Sequence, residues 1–180
     1  MTSCEGAAIL KSSGLQISFG GCGALSVYYV GVCQCLRDHA PDVLDEFEQL
    51  YGASAGAFAA VCVACKCDFM MTYEWAMEML KLSREYSILG FASPSFNLLS
   101  RMRDFLEAIL PQDAHRLCRN RVHISLSVFD GFGLPKNWLL TDFTTRKELI
   151  NVRHSSTVIT DIVNITLFLL LCSIAGNCWQ

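Results

Sequence analysis

Gly52-Ala53-Ser54-Ala55-Gly56 lies between a short segment, residues 49–53, and a run of small apolar residues, 55–67, long enough for a buried helix. A Gly-x-Ser-x-Gly turn from strand to helix is so tight that only small flanking residues fit, and it lifts the serine hydroxyl above the sheet edge. Gly52, Ala53, Ala55 and Gly56 meet that demand, which makes Ser54 a candidate nucleophile. The competing reading is a plain helix N-cap, with the Ser54 side chain bonding the first free N–H groups.

A second strand, glycine turn and helix precede the first. Residues 15–19 (LQISF) alternate apolar and polar character, Gly20-Gly21-Cys22-Gly23 follows, and 24–37 carries apolar residues at helical spacing. Backbone N–H groups of Gly21, Cys22 and Gly23 at a helix N-terminus would point at an anion. In a serine hydrolase that anion is the oxyanion of the tetrahedral intermediate. A nucleotide pyrophosphate loop fits poorly. Ser26 stands where its last glycine belongs, and no acidic residue ends a second strand about 20 residues later. A mere tight turn remains the alternative.

Residues 41–48 read as a polar connection with a helical turn, and 68–84 as an amphipathic covering helix. Its apolar face would hold Met70, Tyr73, Met77 and Leu80, its polar face Glu74, Glu78 and Lys81. Another helix spans 95–110 and stops at Pro111, and 113–119 adds a short one. Residues 122–129 and 137–143 read as partner strands across the turn-rich 130–135. Short strands alternating with longer helices imply an α/β sheet, parallel at least in its first half.

The 180 residues suit one domain, and 17% charged against roughly 25% for an average domain leaves much surface to bury or to face lipid. Lys+Arg 14 against Asp+Glu 17, with no basic block, excludes the footprint of a nucleic-acid binder. Residues 1–13 show no secretory leader, so the ten cysteines are expected reduced. Cys33/Cys35 and Cys62/Cys65/Cys67 fall in apolar helical stretches without a matched pair at zinc spacing, so buried thiols are expected and no metal. Residues 162–176 are almost continuously apolar. At 15 residues, interrupted by Asn164, Thr166 and Ser173, they are short for a membrane span and suit a buried or interfacial helix.

SFGGCGALSVYYVGV and YGASAGA, about 30 residues apart, resemble the opening of a patatin-like phospholipase domain of the adiponutrin-like subgroup. Pro94-Ser95-Phe96-Asn97, RVHISLS at 121–127, LLTDF at 139–143 and Arg146-Lys147-Glu148 extend the likeness over residues 14–152. The division is thus an N-terminal segment, 1–13, the partial domain, 14–152, and a divergent apolar tail, 153–180. The resemblance implies a three-layer α/β/α fold, truncated here, and a Ser-Asp dyad acting on acylglycerol or phospholipid esters without a cofactor. It gives Ser54 the nucleophile role and Gly21, Cys22 and Gly23 the oxyanion loop. Ser26 and Tyr29 depart from the subgroup's usual glycine and histidine, the latter a matter of packing.

The family's second catalytic residue is an Asp in an Asp-Gly-Gly or Asp-Gly-Ala run, and none follows residue 152. Asp130-Gly131 reads as a turn and Asp142 as structural, while Asp161 opens the tail. Ser54, Asp130 and His154 mimic a hydrolase triad in order only. His39 and His115 read as surface residues, and His123 could take either face of its strand. The expected function is a lipid acyl hydrolase, weak or inactive in this form, in the cytoplasm against a membrane or lipid-droplet surface. A catalytically silent lipid-surface or partner-binding protein is the alternative, and a small membrane-anchored protein a third.

Overall fold

The structure, a computed structural model, describes residues 14–86, 96–128 and 136–151. β1 (Leu15–Phe19) leads through a single 3-10 turn (Gly23–Ser26) into α1 (Val27–His39) and the short α2 (Pro41–Asp45). β2 (Phe47–Ala53) then runs through Ser54 into α3 (Ala55–Ala64) and α4 (Phe69–Tyr86). α5 (Leu98–Ile109) and α6 (Ala114–Cys118) precede the hairpin strands β3 (Val122–Val128) and β4 (Lys136–Leu140), and α7 (Arg146–Asn151) follows.

The four strands form one sheet in the order β1-β2-β3-β4, with β1, β2 and β3 parallel and β4 antiparallel to β3. This is the α/β arrangement expected. Parallel neighbours need crossover connections, and right-handed crossovers taken in sequential order leave their helices on one face. That face is the core. Phe19, Leu50, Val122 and Ile124 are buried there, α3 lies against β1, β2 and β3, and Leu149 and Ile150 of α7 close the cluster. Stacked rings join the helices outward, with Trp75 of α4 at 4.5 Å from Phe105 of α5 and both at 6.2 Å from Phe58 of α3. Of the three layers, the described residues supply the sheet and this helical layer.

The sheet's opposite face carries Gln16, Ser18, Gln49, Tyr51, His123 and Ser125, as strand alternation and the pairing register require. β2 starts at Phe47, two residues earlier than its expected segment. Leu15 pairs with Phe47 and Gln16 with Gln49, so Glu48 bulges out and both Phe47 and Leu50 reach the core.

α3 ends three residues short of the expected 67. Lys66 adopts φ 53°, and the N–H groups of Cys67 and Lys66 bond the carbonyls of Cys62 and Val63 at 2.9 and 3.1 Å. This is a Schellman cap built on lysine instead of the usual glycine. Arg37 locks it by donating to the Cys67 carbonyl at 2.7 Å while its guanidinium covers the Phe69 ring.

α4 turns a different face inward than its apolar pattern implies. Phe69, Thr72, Met79 and Ser83 are buried and the expected Met77 and Leu80 half-buried, whereas Met70 and Tyr73 are exposed; the polar face of Glu74, Glu78 and Lys81 is exposed as expected. Thr72 and Ser83 tolerate burial because their hydroxyls donate to the carbonyls of Asp68 at 2.8 Å and Leu80 at 2.9 Å. Cys33, Cys62, Cys65 and Cys67 are buried free thiols, but Cys35, two positions along α1 from Cys33 and so on nearly its opposite side, is exposed.

Candidate active site

Ser54 occupies the junction of β2 and α3 with φ 54° and ψ −125°. Those angles belong to the first central position of a type II′ turn, where glycine is the rule, so a serine there is strained. The chain reverses within one residue, and the Ser54 carbonyl still accepts from the Ala57 N–H at 3.0 Å. Ser54 is the N-cap by position, yet its side chain makes no capping bond. The plain-cap reading therefore fails: the hydroxyl bonds nothing among the described residues.

The flanking glycines have no alternative. A Cβ on Gly52 would lie 2.5 Å from the Ala57 Cα and 2.6 Å from the Gly56 oxygen, and one on Gly56 would lie 2.2 Å from the Phe19 oxygen. Real Cβ atoms do not approach backbone so closely, so the motif's spacing records where β2, α3 and the end of β1 touch. Ala53 and Ala55 flank the serine with side chains of one carbon each.

The loop after β1 comes to the same place. A Cβ on Gly21 would stand 3.4 Å from the Ser54 Cβ and 3.7 Å from the Ala53 oxygen, so Gly21 lies directly beside the serine. Gly23 has φ 53°, and Cys22 between them is half-buried. Burial raises the Cys22 thiol above its ordinary pKa, against a smaller lowering by its hydrogen bond with Tyr29. A neutral thiol follows, without a thiolate to repel an oxyanion. Tyr29 donates its hydroxyl to the Gly20 carbonyl at 3.3 Å and sets its ring edge on Phe19 at 5.3 Å. The resemblance marked Tyr29 as a matter of packing more than chemistry. Its second role needs the fold that brings residue 29 back over residue 20.

Of the candidate bases among the described residues, Asp142 and His123 are engaged elsewhere. Asp142 pairs with Arg119 at 2.7 Å on the surface. His123 lies on the sheet face away from the core, stacked on Tyr51 at 4.5 Å, with Nε2 against the Gln49 oxygen and Nδ1 buried without a partner among the described residues. Burial lowers its pKa. His39 and His115 sit on α1 and α6 and enter no described contact with Ser54. Asp130, His154 and Asp161 lie outside the described residues, as does the apolar stretch 162–176. No group of residues able to hold a metal occurs among the described residues.

The family model of the patatin-like phospholipases matches residues 17–172. The chain belongs to this family. The patatin-like match runs past residue 152 into the apolar stretch. The chain is 40% identical over 144 residues to human patatin-like phospholipase domain-containing protein 2, covering 78% of this chain and 27% of that protein. It is 37% identical over 139 residues to a human 1-acylglycerol-3-phosphate O-acyltransferase, covering 77% and 28%. A human omega-hydroxyceramide transacylase is 34% identical over 142 residues, covering 78% and 26%. The chain spans less than a third of the length of these curated relatives. No solved structure matches it.

Proposed function

We propose that the chain carries the nucleophilic half of a lipid acyl hydrolase, with Ser54 as nucleophile and the backbone N–H groups of Gly21, Cys22 and Gly23 as oxyanion donors. The observation that carries this reading is the strained, uncapped Ser54 with Gly21 at its side. Ser54 Oγ would attack the carbonyl carbon of an acylglycerol or phospholipid ester. Negative charge on the carbonyl oxygen would be taken up by the loop, and collapse would expel the alcohol and leave an acyl-serine. Water then releases the fatty acid. An acyl-serine can equally pass its acyl group to a second alcohol, and the relatives named as acyltransferase and transacylase favour keeping that outcome beside hydrolysis.

Among the described residues Ser54 has no hydrogen-bonded base to take its proton. Asp142 is committed to Arg119, and His123 to Gln49 and Tyr51. Turnover by this chain should accordingly be low, and a silent lipid-surface protein is the second reading. A membrane or lipid-droplet surface suits either. Residues 162–176 contain no Lys or Arg, so binding through them would depend on apolar area and resist salt. Among the described residues no helix is long and apolar enough to cross a membrane.

The test compares the chain and Ser54→Ala on a short-chain ester and on an acylglycerol. Slow turnover that disappears in Ser54→Ala supports the hydrolase, and equal background rates in both support the silent form.

A further inference from the structure

We infer that Tyr29 is a positioning residue for the oxyanion loop, fixing the peptide between Gly20 and Gly21 so that the Gly21 N–H faces the site beside Ser54. This rests on the hydrolase reading for the direction and use of the Gly21 N–H, while the contacts on the Gly20 carbonyl stand on their own. A trans peptide is planar, so the carbonyl of one residue and the N–H of the next point in opposite directions. Whatever holds the Gly20 carbonyl therefore aims the Gly21 N–H.

Two neighbours hold it. The Tyr29 hydroxyl donates to the Gly20 oxygen at 3.3 Å and lies 3.6 Å from where a Gly20 Cβ would stand. The first turn of α3 closes in from its own side, because a Cβ on Gly56 would lie 2.6 Å from the same oxygen. Glycines at 20 and 21 otherwise leave this peptide free to flip, since neither has a side chain to restrict φ. At neutral pH the Tyr29 phenol is protonated and a donor, and burial raises it further above its ordinary pKa. The ring is anchored separately, by its edge on Phe19. Removing the hydroxyl should free the loop and leave the packing.

Tyr29→Phe makes that separation. Hydrogen exchange of the Gly21 and Cys22 amides should rise severalfold, the rate of fluorophosphonate labelling at Ser54 should fall about tenfold, and the melting temperature should hold. The labelling loss is smaller than the roughly 10²-fold or more expected for deleting an oxyanion donor, because the N–H is misdirected only part of the time. On a short-chain ester the loss should fall on kcat and leave KM. Tyr73→Phe, which removes an exposed phenol on α4, controls for loss of a hydroxyl as such. A Tyr29→Phe protein that labels at the parent rate overturns the inference. Should neither protein label, the hydrolase reading falls and amide exchange decides alone: raised exchange at Gly21 supports the positioning role, and unchanged exchange overturns it.

Discussion

Gly56 and Phe19 touch backbone to backbone: a Cβ on Gly56 would lie 2.2 Å from the Phe19 carbonyl oxygen, so the first turn of α3 rests on the end of β1. Neither backbone can move without moving Ser54 or the Gly20-Gly21 peptide. Gly56→Ala should cost about 3 kcal/mol in a urea titration, the upper range for overpacking. Gly31→Ala is its counterpart. Gly31 lies exposed on α1 with nothing within 4 Å of its Cβ position, and alanine there should stabilise by about 0.5–1 kcal/mol.

Strain at Ser54 predicts an inverted order among its variants. At φ 54° and ψ −125° glycine is at ease and alanine is not. Ser54→Gly should therefore be more stable than Ser54→Ala by about 1 kcal/mol, although glycine ordinarily weakens a chain through backbone entropy. Chemical denaturation of both variants checks this. A more stable Ser54→Ala would mean that the elbow is relaxed.

Both strand-to-helix turns were legible because their chemistry is local. Glycines that no other residue can replace stand at 52 and 56, where backbones meet, and Gly-Gly-Cys-Gly marks the loop that returns beside Ser54. The buried face of α4 was not legible. Thr72 and Ser83 hide their hydroxyls against the preceding turn, while Met70 and Tyr73 are apolar enough to look like core and yet stay outside. The end of α3 was also hidden, because Lys66 takes the left-handed position that glycine usually advertises. In the site, the Tyr29 to Gly20 bond depends on a tertiary approach that no spacing records.

Arg146 and Arg119 look alike in sequence but should differ in energy. Arg146 donates to the carbonyls of Glu107 at 2.6 Å, Leu110 at 3.0 Å and Pro111 at 3.1 Å, at and just beyond the end of α5, where Pro111 has no N–H to serve the Glu107 carbonyl. Arg119 makes an ion pair with Asp142 in which both side chains are more than half exposed. Arg146→Met should destabilise by about 2 kcal/mol, within the range for hydrogen bonds to a charged group. Arg119→Met should change stability by less than about 1 kcal/mol. Thermal or urea unfolding of the two variants side by side distinguishes them.

His123 should make stability fall on the acid side. Burial lowers its folded pKa below the ordinary 6.5, so above that value both states are neutral and folding is indifferent to it. As pH drops below 6.5 the unfolded chain takes up a proton that the folded one resists, and stability declines until pH reaches the folded pKa. His123→Phe keeps a ring against Tyr51 and removes the titration. Urea midpoints at pH 7 and pH 5 should show a smaller decrease in the variant than in the parent. An equal decrease would assign the acid sensitivity elsewhere.

Covalent labelling by a fluorophosphonate, followed by peptide mapping, reports activation of a single serine without requiring deacylation. A single slow adduct on Ser54, absent from Ser54→Ala and slower still in Tyr29→Phe, is the expected result. An adduct on another serine, or none at all on a folded chain, would contradict the assignment of Ser54 as an activated nucleophile.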